Sequence, residues 1–167
     1  MSRGFVKEGD QEETPIIPPR AALPGGVTNY VTPTGMELLQ AERKHLETER
    51  STLPTVNEQQ RRVELAVING KLDLLMERIA SARILYPLKQ PKDEVRFGAT
   101  VTYKISSAPK PQTFQIVGVD EANIANRKIA FVAPIASALT GHKVDELVPF
   151  KLGGEQRMLE ILNIEYK

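Results

Sequence analysis

Two rhythms divide the chain. Between Tyr30 and Tyr86 apolar residues recur at helical spacing, and from residue 94 onward they alternate at strand spacing. In the first part Leu39, Leu46 and Leu53 fall seven apart, one stripe of a heptad, with Glu42, Arg43, Glu49 and Arg50 between them. Thr32 suits the cap of that helix and Pro33 its first turn. A second segment carries Leu65, Ile68, Leu72, Leu75, Ile79 and Ala82 at alternating steps of three and four, the pattern of knobs entering holes on a facing helix. Each stripe is narrow and the rest of each helix is wet, so each needs a partner and the other is nearest. Pro54 cannot continue the first helix without clashing with the preceding turn. The pattern therefore predicts a reversal near 53–56 and an antiparallel helical hairpin over 30–86.

Past the hairpin, Pro87 and Pro91 mark a short stiff linker over 87–93. Strand-like segments follow at 98–105, 112–119, 127–133, 146–152 and 156–166, rich in β-branched and aromatic residues. The stretch 134–140, "PIASALT", opens with Pro134 and is followed by Gly141, which predicts a short helix covering one face of the sheet. The predicted class is α+β, with a sheet domain over 94–167. Residues 1–29 combine the acidic run "KEGDQEE" with Pro15, Pro18, Pro19 and Pro24. Too few apolar groups offset their ordering entropy, so a flexible arm is expected there, with Ile16 and Ile17 as exposed hooks.

Composition narrows the chemistry. With 22 basic and 21 acidic residues in 167, recognition by charge must be local. Cysteine is absent, which excludes disulfides, thiolate metal sites and a cysteine nucleophile, and fits a reducing compartment. No segment has the apolar length of a membrane span and the first residues lack a signal-peptide core, so the expectation is a cytoplasmic protein with no membrane partner.

The predicted reversal, "STLPTVNEQQRR", is the most informative stretch, with Thr55, Asn57, Glu58, Arg61 and Arg62 at the hairpin tip. "TVNE" at 55–58 has the spacing of a capping box, in which Thr55 and Glu58 bond each other's backbone amides. From 50 to 62, Arg50, Arg61 and Arg62 face the single acid Glu58. Magnesium takes oxygen ligands, commonly one or two carboxylates with water or phosphate, so one carboxylate among three arginines is a poor host. His45 lies near Glu42 and Glu49, but two glutamates on a charged helix are ordinarily a solvated face, and neither His45 nor His142 is assigned a metal. Arg43, Lys44, Arg50, Arg61 and Arg62 cluster on the hairpin and could meet nucleic-acid phosphates, though ion pairs with adjacent glutamates are the better expectation for Arg43 and Lys44. No aromatic residues interleave with them, so base stacking is not expected.

Four segments carry a resemblance: "VTPTGMELLQAE" at 31–42, "VRFGATVTY" at 95–103, "FQIVGVDEAN" at 114–123 and "APIASALTGHKVDELV" at 133–148. From Tyr30 to Lys167 the chain resembles the Gre family of bacterial transcription elongation factors. Ala133 stands where that family usually has serine and Asn123 where it usually has an acid. The resemblance implies a coiled-coil hairpin joined to a C-terminal domain of FKBP-like topology, docked at the rim of the RNA polymerase secondary channel. In cleavage-competent members two acids at the tip help hold a second magnesium ion, and the polymerase site then hydrolyses backtracked RNA. That acidic motif is missing here, and the hairpin is about two turns shorter than the family's usual one, judged by its end signatures.

The expectation is a monomeric regulator or competitor at the polymerase channel, with weak or no stimulation of cleavage and no catalytic residue or cofactor of its own beyond the polymerase's magnesium. Nucleic acid is contacted at most indirectly, through the tip. Pro134, Ile135 and Gly141 are candidate docking residues, while Leu139 is expected in the core. The alternatives are a true cleavage factor, an FKBP-like prolyl isomerase, which needs an aromatic-lined apolar pocket, and a scaffold that dimerises through the heptad stripe.

Overall fold

The computed structural model describes residues 14–167. In chain order the elements are β1 (Tyr30–Val31), α1 (Pro33–Ser51), α2 (Glu58–Ser81), β2 (Arg83–Ile84), β3 (Thr100–Ile105), β4 (Gln112–Val117), β5 (Lys128–Ala130), α3 (Pro134–Leu139), β6 (Leu147–Leu152) and β7 (Glu155–Glu165). The class is α+β.

The predicted helical hairpin forms, and its stripes meet: Leu39 and Leu46 of α1 are buried with Ile68, Leu72 and Leu75 of α2, and Leu53 and Ile79 pack at the margins. Thr32 caps α1, its hydroxyl accepting from the Gly35 amide at 2.9 Å, and Pro33 occupies the first turn. The two helix roots are tied by a small parallel sheet, β1 on β2, with Tyr30 opposite Arg83. That pairing was not legible in the sequence, because two-residue strands carry no period.

The second module is a five-stranded sheet in the order β5-β4-β3-β7-β6, antiparallel except where β5 runs parallel to β4. The β3–β7 register slips between Thr102 and Tyr103, a bulge that bends the long β7. Gly153 and Gly154 link β6 to β7 with φ of 60° and 85°, the two left-handed positions a tight hairpin loop requires. Helix α3 lies over the sheet where expected, with Ala136 and Leu139 fully buried against Val95, Val101, Leu159 and Ile161.

Three expectations change. The strand expected from residue 98 begins at Thr100, because Gly98 takes a φ of 88° ahead of it. The expected linker is partly structured: Pro87 is buried in a short 3-10 turn, and a Cβ on Gly98 would lie 2.8 Å from its ring. Within the expected flexible arm, residues 1–13 lie outside the described residues, while Ile17, Arg20, Ala21 and Asn29 contact the hairpin. Arg20 binds Glu42, the Ala21 carbonyl accepts from Arg78, and Asn29 donates to the Arg78 carbonyl. Side-chain pairing across such a distance, 22 residues from Arg20 to Glu42, leaves no local mark in the sequence.

Candidate functional site

The hairpin tip is asymmetric. The roots are level through β1–β2, but α1 has 19 residues and α2 has 24, about 28 Å against 36 Å. The segment 52–57 therefore climbs beside the exposed first turns of α2. Helix α1 closes with the Thr52 amide donating to the carbonyls of Thr48 and Glu49 at 3.1 and 3.3 Å.

Helix α2 opens at Asn57, not at Thr55. Asn57 is extended (φ −134°, ψ 111°), and its side-chain oxygen accepts from the amides of Gln59 and Gln60, both at 3.1 Å. The expected Thr55–Glu58 capping box is thus replaced by an asparagine cap, because the helix begins two residues later than that box requires. Glu58 becomes the first helical residue, where its charge complements the positive end of the helix dipole without a capping bond.

The structure brings Asn57, Glu58, Arg61 and Arg62 together on this outer turn, with Thr55 exposed on the climbing segment. Arg50 is drawn away: its guanidinium donates to Asn69 at 3.2 Å, lower on the hairpin. Glu64, the next acid on α2, accepts from Gln60 at 3.0 Å. Among the described residues no group of three or more His, Cys, Asp or Glu is placed to hold a metal ion. Arg43 pairs with Glu47 at 3.0 Å, and His142 lies 2.6 Å from Glu146.

At the other end, Pro134 is exposed at the start of α3, Ile135 is half-buried against the sheet core, and Gly141 follows the helix at φ 88° with its amide donating to the Val95 carbonyl at 2.7 Å. Gly141 therefore does structural work, and Leu139 is core as expected. Of the three residues proposed for docking, Pro134 presents the most open side chain.

Between tip and sheet lies a junction that sequence reasoning missed. The buried Glu121 accepts from the Thr32 hydroxyl and from Lys128, the latter at 2.8 Å, so the cap of α1 is also a bolt to the sheet domain. Tyr30 meets Phe131 edge-on and Phe97 at a tilt, with ring centres 5.8 and 6.0 Å away, and Phe97 meets Phe131 edge-on at 5.6 Å, at the wall of an open cavity of about 560 Å³. Arg20 reaches both Asp120 and Glu42. Its hydrogen bond to Glu42 chiefly raises its affinity for the proton above the ordinary guanidinium value, burial opposes this, and the charge of Asp120 adds to it. A buried acid such as Glu121 implies a partner, but nothing local names it.

A family profile described as "Transcription elongation factor, GreA/GreB, C-term" matches residues 90–166. The transcription elongation factor GreA of Acidiphilium cryptum is 30% identical over 151 residues, covering 81% of this chain and 96% of that protein. The chain belongs to the GreA/GreB family. Other GreA proteins match mainly over a shorter stretch: that of Trichlorobacter lovleyi is 36% identical over 100 residues, 60% of this chain and 63% of its own length. The match thus spans less than two thirds of such relatives. Among solved structures, a GreA/GreB factor from Nitrosomonas europaea covers 82% of this chain and 98% of its own at 20% identity with a TM-score of 0.40. Membership of the GreA/GreB family rests on the sequence relatives rather than on that superposition. No helix among the described residues is long and apolar enough to cross a membrane.

Proposed function

We propose that this member of the GreA/GreB family is a transcription factor that inserts its hairpin into the secondary channel of bacterial RNA polymerase and competes there without strongly stimulating transcript cleavage. The observation that carries the reading is the outer turn of α2, where one carboxylate, Glu58, stands beside Arg61 and Arg62 and an asparagine holds the cap. Two-metal hydrolysis needs oxygens that steady a second cation beside the attacking water. A single acid at the positive end of a helix, flanked by guanidinium groups, repels a cation and suits phosphate. The docking domain, by contrast, keeps its sheet, its covering helix and its family signature over 90–166.

The test is a stalled, backtracked elongation complex. The wild-type chain should leave the transcript near its intrinsic cleavage rate and should slow cleavage driven by a cleavage-active Gre factor in proportion to its concentration. Rapid shortening of the RNA that is lost with Glu58→Ala would refute the proposal and favour a genuine cleavage factor.

A further inference from the structure

We propose that residues 17–21 form a releasable strap that sets the angle of the hairpin relative to the sheet domain, with Gly70 as the seat of its apolar end and Arg20 as its clasp. The geometry is that of a guy rope. Arg20 Nε donates to Asp120 Oδ1 at 3.0 Å, while its two terminal nitrogens grip Glu42 at 2.8 and 3.0 Å. Asp120 belongs to the sheet domain, just past β4, and Glu42 to α1, so one guanidinium bridges the two modules. Glu42 stands ten residues beyond Thr32, about 15 Å from the root at which the hairpin would pivot. A contact at that distance resists tilting with far more leverage than the bolts at the root itself.

The apolar end has its own seat. A Cβ on Gly70 would lie 2.0 Å from Ile17 Cδ1 and 2.7 Å from Cγ1, so the strap occupies the space that any other residue's side chain would need. Glycine inside a long helix is locally unfavourable. Its presence midway along α2 has a reason if the strap must lie there. Pro18 and Pro19 pre-set the backbone between seat and clasp, lowering the entropy lost on docking.

Other features make the strap releasable. An open cavity of about 540 Å³ runs alongside it, walled by residues 18–21 on one side and His45, Glu49 and Lys71 on the other, so the strap is not packed tightly along its length. Arg78 Nη1 and Asp120 Oδ2 are 3.8 Å apart, and both are buried without a hydrogen-bond partner, leaving the clasp incompletely satisfied. The inference stands whether or not the hairpin enters a polymerase channel, and its test uses no polymerase.

Because the chain has no cysteine, Gln59→Cys at the tip and Lys151→Cys on β6 give a unique pair for spin labels. The strapped protein should show one narrow distance distribution. Arg20→Ala and Gly70→Ala, made separately, should each widen it at least twofold, with circular dichroism unchanged. In Gly70→Ala, trypsin should cut after Arg20 at least tenfold faster than in the parent. Deletion of residues 1–21, which leaves both modules whole, should reproduce the wide distribution. Unchanged distances in the deletion variant, or unchanged cleavage in Gly70→Ala, would overturn the proposal.

Discussion

Single residues at the seams carry more weight than their exposure suggests. Tyr166, next to the chain end, accepts the Arg96 amide at 2.9 Å and donates to the Glu94 carbonyl at 2.6 Å, stitching the end of β7 to the loop that leads into the sheet. Tyr166→Phe should cost about 1–3 kcal/mol in urea unfolding, since it removes both bonds. Burial is the main cause that lifts the Tyr166 hydroxyl above its ordinary value, and Tyr103 is lifted by burial as well. The folded chain then holds a proton that the unfolded chain releases near pH ~10. Stability from these groups is complete below that pH and is lost as pH climbs through the folded values. The parent should weaken under alkaline conditions, and Tyr166→Phe should weaken less steeply, with Tyr103 among the groups that remain. Denaturant midpoints measured between pH 9 and 11 decide this.

The elements show which patterns are self-sufficient. The heptad stripes name their own partners: Leu39 and Leu46 of α1 are buried in one cluster with Ile68, Leu72 and Leu75 of α2, and the hairpin follows. The tip was less legible. A capping box and an asparagine cap lie two residues apart, and the choice between them depends on where the climbing segment delivers the chain to α2. Asn57→Ala should therefore destabilise the hairpin by about 1 kcal/mol, whereas Thr55→Ala should be nearly neutral. Thermal melts of the two variants separate the alternatives, and equal losses would return the cap to Thr55. In the sheet, strand-like composition located all five strands, though the one expected over 127–133 stops at Ala130, and Pro134 with Gly141 located α3. None of these could foresee that β5 runs parallel to β4, since direction is set by the connection through 118–127 rather than by either strand.

Across the whole molecule, the modules meet through Thr32, Glu121 and Lys128, through the Tyr30, Phe97 and Phe131 rings, and through the Arg20 clasp. The aromatic trio matters for the isomerase alternative, which calls for an aromatic-lined apolar pocket. Here the three rings are engaged with one another, edge to face or tilted, and Leu85, Ile116, Gln90, Arg96, Ser137 and Thr140 complete a wall that mixes apolar and polar groups. A proline-peptide isomerisation assay should give only the uncatalysed rate. Acceleration that falls with Phe131→Ala would reverse that reading.

Periodicity marked the helical and strand-rich parts, Pro54 the turn between helices, and a short charge count the shortage of acids at the tip, because each of these follows from residues a few positions apart. The seat of Ile17 on Gly70, the bridge from Arg20 to Glu42 and Asp120, and the burial of Glu121 beneath Thr32 came only with the folded chain. They join segments 22 to 100 residues apart, where charge and size can be satisfied by many partners and three-dimensional proximity alone selects one.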